Sequence, residues 1–299
     1  MQTRAFINDP EHTRVLVTAA AGNTGQPTVA QLLDKGFKVR ALVRRDDARA
    51  QNLRNLGAEV WIGDMSSLRD IRLAMKDVNR AYFCAAIGTG IVESAAIFAQ
   101  AAGEQSLELI VDMSHVQSRP AARSKVTQDH WLSEQIFERS GIPSVHLRPT
   151  FFSEWLLYIS GVIRHGRYIT PFSKDSRSAP IAAADIARIT AGIMGDPAPY
   201  IGKALHLHGP VEYSHEELAA EVSRVLNKPL SFEQVTPSVF LETLGIPEAT
   251  VLRKHFEAVA IDQQEGLLAG GNDRIGQQII GAPLMKIEAF VKANQKAFA

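Results

Sequence analysis

Between residues 14 and 147, short apolar runs alternate with segments of helical length, and this alternation constrains the fold more than any other feature of the chain. The runs at 14–18, 38–43, 59–62, 81–86, 107–113 and 144–147 read as strands. The segments at 26–36, 46–56, 67–76, 91–102 and 128–140 read as helices. Gly36 and Gly141 supply stops, and Ser66 or Ser67 supplies a cap for the third helix. A helix between successive strands requires a right-handed crossover, so the chain is predicted to form an α/β, doubly wound parallel sheet. RVLVT, AYFCAA and LELIV are apolar almost throughout, as strands covered on both faces must be.

The second half is less regular. Residues 151–163 read as an apolar helix or lid, 178–181 lead into a helix begun near Asp185, and 203–208 form a further strand. From residue 214 the pattern is mostly helical, with helices expected at 216–226, 237–244, 249–259 and 283–298. The division that follows is a dinucleotide-binding domain over 14–150, to which 181–209 return. A smaller, mostly helical cap is expected over 151–180 and 210–299, with 1–13 a flexible tail.

Charge narrows the partners. Lys and Arg number 32 and Asp and Glu number 32, so the basic excess that neutralises phosphate backbones is missing and nucleic acid is not expected as a partner. One thiol, Cys84, cannot close an internal disulfide, which fits a reducing cytoplasm. Residues 1–13 carry Arg4, Asp9, Glu11 and His12 without an apolar run, so no secretory leader is expected. No stretch approaches the roughly 18–20 apolar residues of a membrane helix, so no membrane partner is expected either. Monomer and homodimer both remain open.

The first strand runs into Thr18-Ala19-Ala20-Ala21-Gly22-Asn23-Thr24-Gly25 and then a helix. A sharp turn there presents backbone N–H groups at a helix N-terminus, where the dipole favours a pyrophosphate. Gly22 admits close backbone approach and Gly25 tight helix–strand packing, while Ala19 stands where the usual fingerprint has its first glycine. The same residues also suit a plain strand-to-helix turn. About twenty residues on, where an NAD site usually has an acid, stand Arg44 and Arg45. A guanidinium forks onto a 2′-phosphate, so NADP(H) is favoured and NAD(H) remains possible. Two solvated arginines at a strand end would look the same. Asp64 and Met65, after the third strand, fall at the adenine edge, although Asp64 also suits a cap.

Ligands of open α/β sheets lie beyond the carboxyl ends of the strands. This adds Ala85, Ala86 and Ile87 after the fourth strand, Met113 and Ser114 after the fifth, and Pro149, Thr150 and Phe151 after the sixth. Phe151, Phe152 and Trp155 suit an apolar wall against a flat substrate, or simply a core. His130 and Glu134 lie one turn apart on the helix after the fifth strand. His206 and His208 share a strand face without an evident third ligand, so no metal is expected. Cys84 reads as packing within a buried strand.

TAAAGNTG, LVRRDD, GDMSS, Met113-Ser114, His130-x-x-x-Glu134 and SGIPSVHLRPTFFSEWL together resemble the atypical short-chain dehydrogenase/reductases of the NmrA-like group. Ala183-x-Asp185-Ile186-Ala187 and HLHGPVEYSHEELAAEV resemble its later segments, so the likeness spans roughly residues 14–235. It implies a Rossmann fold and one of two activities. The group includes NADPH-dependent quinone oxidoreductases and triphenylmethane reductases, and also redox-sensing transcriptional regulators. Ordinary short-chain dehydrogenases use a Tyr-x-x-x-Lys pair; none of Tyr82, Tyr158, Tyr168, Tyr200 and Tyr213 has a lysine four positions on. His130 takes the tyrosine slot and Glu134 the lysine slot.

A quinone accepts hydride to give an anion of modest basicity, and an arylmethane cation needs no proton, so positioning the nicotinamide supplies most of the catalysis. His130, with an unperturbed pKa of about 6.5, is the candidate proton donor, ahead of His115. Ser114 is the candidate hydrogen-bond partner of the substrate oxygen or of the nicotinamide. The expectation is an NAD(P)H-dependent reductase acting on a small aromatic or quinone-like substrate. The alternatives are a non-catalytic NAD(P)-sensing protein that signals through a protein partner, and a tailoring reductase of an aromatic biosynthetic intermediate.

Overall fold

The computed structural model describes residues 9–88, 90–268 and 274–299. Of the expected tail, residues 1–8 lie outside the described residues, while Pro10–His12 form a 3-10 turn closed by the Thr13 N–H on the Pro10 carbonyl.

The alternation in the first half is realised element by element. In chain order come β1 (Arg14–Val17), α1 (Gly25–Asp34), β2 (Lys38–Val43), α2 (Ala48–Asn55), β3 (Glu59–Ile62), α3 (Leu68–Ala74) and β4 (Arg80–Phe83). Then follow α4 (Ile91–Glu104), β5 (Leu109–Met113), α5 (Lys125–Arg139) and β6 (Ser144–Pro149). Further on, the chain forms α6 (Trp155–Tyr158), α7 (Ser160–Ile163), β7 (Arg167–Thr170), β8 (Arg177–Ser178), α8 (Ala183–Gly195) and β9 (Ala204–Leu207). It closes with β10 (Tyr213–Ser214), α9 (His215–Leu226), β11 (Ser231–Gln234), α10 (Pro237–Thr243), α11 (Thr250–Gln264), α12 (Ile275–Ile280), α13 (Ile287–Ala293) and α14 (Gln295–Phe298).

One seven-stranded sheet runs in the order β3-β2-β1-β4-β5-β6-β9. Its ladders are parallel, with Leu16 opposite Arg40 on one side and Ala81 on the other. On β9 the direction is the same, since His146 donates to Lys203 and Thr150 to Leu207. The order reverses between β1 and β4, where doubly wound sheets leave a crevice for ligands. The α/β doubly wound class is therefore the observed one. Ser67 caps α3 by accepting the Asp70 N–H, and Asp47 caps α2 through the Arg49 and Ala50 N–H groups.

The chain divides into two compact units. The first holds residues up to His115, then 129–148 and 186–205; the second holds 116–128, 149–185 and 206 onward. The first is centred on Phe83, Phe98 and Phe137, whose rings meet edge-to-face at 5.0–6.2 Å. In the second, Leu156, Ile163, Phe240, Leu241, Phe256, Val259 and Phe290 share a core.

Several boundaries differ from the sequence reading. β4 ends at Phe83 rather than at residue 86, because the Cys84 N–H leaves the ladder to donate to Thr18 Oγ1 at 2.8 Å. Cys84 is therefore half-buried in a loop and not inside a strand. The helix expected over 151–163 is two single turns, and that over 283–298 becomes α13 and α14, with Asn294 between them. The second unit is also less purely helical than expected. β7 and β11 pair in parallel from Arg167 opposite Ser231 to Thr170 opposite Gln234, and β8 pairs with β10.

Candidate functional site

At the carboxyl end of β1 the chain turns through Thr18 to Gly25. The turn is tied to both neighbouring strands, since Ala20 donates to the Leu42 carbonyl and the Thr18 N–H to the Tyr82 carbonyl at 3.0 Å, while Thr18 Oγ1 donates to the Cys84 carbonyl just past β4 at 3.0 Å. Tyr82 Oη donates to Thr24 Oγ1 at 3.0 Å, so a buried phenol pins the last bend before α1. Ala19 takes φ +47°, a left-handed conformation that costs an alanine roughly 1–2 kcal/mol, at the place where the usual fingerprint has glycine. Its carbonyl accepts the Gly22 N–H at 2.8 Å. A Cβ on Gly25 would lie 2.2 Å from that carbonyl oxygen, so only glycine fits there. Gly22 and Asn23 are exposed on the outer side of the turn, and the Thr24 and Gly25 N–H groups make no backbone hydrogen bond among the described residues.

Arg44 is exposed just past the end of β2. Asp64 faces its own loop: its carboxylate accepts from the Ser66 N–H at 2.9 Å and the Ser66 hydroxyl at 2.8 Å. These two bonds, with a smaller contribution from the Arg44 charge, hold its pKa below the usual carboxylate value. Met65 is half-buried, while Ala86 and Ile87 are exposed past β4. Burial pushes the Cys84 thiol up to about 11, which suits packing rather than nucleophilic work.

Beyond β5 the first unit holds a buried polar group that the sequence pattern only half revealed. Ser114 donates to Glu134 Oε1 at 2.5 Å. Arg148 clamps the same carboxylate with both arms, Nε on Oε1 at 2.8 Å and an Nη on Oε2 at 2.5 Å. Glu134 is 1% exposed, so its charge is stable there because a guanidinium and a hydroxyl surround it. The pair also holds Arg148 above its ordinary pKa. The lysine slot thus contains an acid whose partner cation arrives from β6. His130, buried one turn earlier on α5, stacks on His115 with ring centroids 6.0 Å apart. On the neighbouring strands Asp112 and His146 form a second buried pair at 2.9 Å. Met113 is buried at the end of β5.

The remaining expected residues belong to the second unit. Thr150 is buried and Pro149 ends β6. Phe151, Phe152 and Trp155 line a cavity of about 50 Å³ together with Ser153, Phe172 and His215. Trp155 packs edge-to-face on Phe256 and tilts over Phe240, so its ring is largely taken up by other aromatic rings. An engineered cavity that holds benzene measures roughly 150 Å³, so this one as it stands admits less than a single ring.

Arg148, His215 and Gln263 had no place in the sequence reading. For Arg148 a signal was present, since an acid on the inner face of a helix needs a cation and the LRP stretch at 147–149 offers one. No group of three or more potential metal ligands occurs among the described residues, and no helix among them is long and apolar enough to cross a membrane.

A doubly wound sheet whose first strand ends in a glycine turn at the strand-order reversal defines a nucleotide-binding α/β protein. Residues 11–266 match the model of the NmrA-like family, and the chain belongs to that family. Among curated proteins it is 27% identical, over 95% of its own length and 99% of the relative's, to (4-alkanoyl-5-oxo-2,5-dihydrofuran-3-yl)methyl phosphate reductase of Streptomyces griseus. Among solved structures it superposes on the triphenylmethane reductase of Citrobacter sp. with a TM-score of 0.81 at 20% identity, covering 95% of this chain and 99% of that one. The NADPH-dependent quinone oxidoreductase of Escherichia coli, complexed with NADPH, gives 0.80 at 21% identity over 94% and 99%.

Proposed function

We propose that the protein is an NADPH-dependent reductase that transfers hydride to a quinone or similar conjugated acceptor. The observation that carries this reading is the turn at the strand-order reversal. Gly22 and Asn23 are exposed there, α1 opens with amides free of backbone acceptors, and an arginine rather than an acid follows β2. These donors fit a dinucleotide: Gly22, Asn23, Thr24 and Gly25 would hold the pyrophosphate and Arg44 the 2′-phosphate. The relatives point the same way. One is a reductase whose substrate name describes an unsaturated lactone, and others reduce quinones or triphenylmethane dyes.

The bound cofactor would supply the hydride, and the chain's residues position and balance the reaction. Ser114 has committed its proton to Glu134, so it can only accept a further hydrogen bond. That polarity supports the nicotinamide carboxamide, which has N–H donors, over a substrate oxygen as its partner. Glu134 and Arg148 are positioning residues that set that polarity. His130 is the proposed proton donor for an oxyanion formed on the acceptor. The first unit is read as the cofactor unit.

The test is direct. Purified protein with NADPH and a panel of quinones and dyes should consume the cofactor above background, and a flat trace with every acceptor sinks the proposal. A second reading, a cofactor-responsive protein without turnover, is supported by the small cavity and the mutual packing of the aromatic residues. It requires tight binding of NADP and NADPH alike with no consumption.

A further inference from the structure

Thr24 stands at the start of α1, yet its hydroxyl makes no capping bond to that helix among the described residues. A threonine in this position ordinarily accepts the N–H of the second or third helical residue. Here the third is Pro27, which has no N–H, and the second, Gln26, already donates to the Gly22 carbonyl at 3.0 Å. The Thr24 backbone is itself helical, at φ −94° and ψ −31°, and its side chain is buried. Tyr82 donates to Thr24 Oγ1 at 3.0 Å, and the Cys84 thiol lies 3.8 Å from the same oxygen.

Tyr82 is a rigid mount for that bond. It is fully buried within β4, opposite Val17 of β1 and Val111 of β5. Its carbonyl accepts the Thr18 N–H at 3.0 Å, so the residue that holds the end of the turn also holds its beginning. Burial keeps the phenol well above its ordinary pKa, so at neutral pH it remains an O–H. A phenyl ring would fill the same space, and a hydroxyl buried in a sheet is unfavourable unless it is bonded.

What the bond fixes is direction. The Thr24 carbonyl is held within α1, where it accepts the Thr28 N–H at 3.1 Å and the Thr28 hydroxyl at 2.7 Å. With its hydroxyl held by Tyr82, residue 24 is restrained from two sides. The Thr24 and Gly25 N–H groups, which make no backbone hydrogen bond among the described residues, are restrained with it.

We propose that Tyr82 is a positioning residue for the cofactor: through Thr24 it fixes the amides that receive the pyrophosphate. This role rests on the dinucleotide reading of the turn. A bond that is present with and without cofactor contributes to folding. It contributes to affinity only where its loss lets residue 24 relax away from the geometry the pyrophosphate needs, which is the difference between positioning and mere support.

The experiment uses the full chain and titrates NADPH and NADH by fluorescence. Tyr82→Phe keeps the ring and deletes the oxygen. It should weaken both cofactors by the same factor, roughly threefold to tenfold, because both carry the pyrophosphate. Thr24→Val deletes the other partner and should weaken both by a similar factor. In the Thr24→Val background Tyr82→Phe should add less than about twofold more, as for two groups that act through one bond. A Tyr82→Phe protein with a lowered urea midpoint and parental affinities overturns the proposal and leaves the reductase reading standing. A loss confined to NADPH, or losses that multiply in the double variant, overturns it as well. Should Tyr82→Phe fail to fold, Thr24→Val decides: equal weakening of both cofactors supports the role, and parental affinities overturn it. A parent chain that binds neither cofactor overturns the dinucleotide reading and this role with it.

Discussion

Replacing Gly25 by alanine tests whether the glycine turn is as tight as its geometry states. The new Cβ would lie 2.2 Å from the Ala19 carbonyl oxygen and 2.8 Å from the Ala20 Cα. Ordinary contact requires about 3.5 Å, so the carbonyl must retreat by more than an ångström. It cannot do so freely, because it accepts the Gly22 N–H and because Ala20 is tied to Leu42. Overpacking of this kind costs about 1–3 kcal/mol and the lost hydrogen bond about 1 more, so a loss of about 2–4 kcal/mol is expected. For a domain of this size that lowers Tm by roughly 4–16 °C. Urea unfolding followed by circular dichroism gives the loss directly, and a fluorescence titration should show NADPH binding weakened more than tenfold.

Two companions sharpen the reasoning. Gly22→Ala places its Cβ at 3.1 Å from the same oxygen, a contact a small shift relieves, and should cost well under half as much. Ala19→Gly removes the left-handed strain of roughly 1–2 kcal/mol but adds about 0.5–1 kcal/mol of chain entropy, so it should stabilise slightly. Combined with Gly25→Ala it should recover part of the loss, since the freed residue 19 can move its carbonyl, giving non-additivity. A Gly25→Ala protein within about 0.5 kcal/mol of the parent, with unchanged cofactor affinity, refutes the whole account.

Three further outcomes follow from other parts of the chain. Glu134→Ala strands the half-buried Arg148 charge and the Ser114 hydroxyl, and should cost about 3–5 kcal/mol in denaturant unfolding, with a coupling above 1 kcal/mol in the cycle with Arg148→Met; additive losses would show that the pair is not coupled. Burial lowers both His215 and His255 from 6.5 to about 4, so each is neutral when folded and takes up a proton on unfolding between those values. Stability is therefore full above about pH 6.5 and falls as pH drops toward about 4, by about 2 kcal/mol per histidine at about pH 5. His255→Gln should flatten that slope in urea midpoints, and an unchanged slope rejects the assignment. Arg44→Ala should weaken NADPH binding by about 1.5–3 kcal/mol while leaving NADH nearly unaffected, and equal losses for both cofactors would remove Arg44 from the 2′-phosphate.

The sheet was readable from the chain because its information is local. RVLV and LIVDM are apolar almost throughout, and helices between the strands end at glycines or begin at Ser67 and Asp47. The glycine turn was readable for the same reason, since Gly22 and Gly25 act over a few bonds of backbone. Where partners lie far apart in the chain, pattern was silent. RYIT has the strand-forming residues Tyr168, Ile169 and Thr170, but SFEQ carries little signal of its own, and that they pair follows only from the fold bringing residues 167–170 beside 231–234.

The site divides along the same line. By itself the sequence determined that His130 and Glu134 share a helix face, that no Tyr-x-x-x-Lys pair exists, and that arginine follows the second strand, because these are matters of residue type and short spacing. Only the tertiary structure decided that Glu134 is paired with Arg148 and that Ser114 donates its hydroxyl hydrogen bond to it. The same holds for His215 and Ser153, which face one cavity from positions 62 residues apart. A buried charge or an unpaired donor is defined by what surrounds it, and those surroundings come from distant parts of the chain that meet only when it folds.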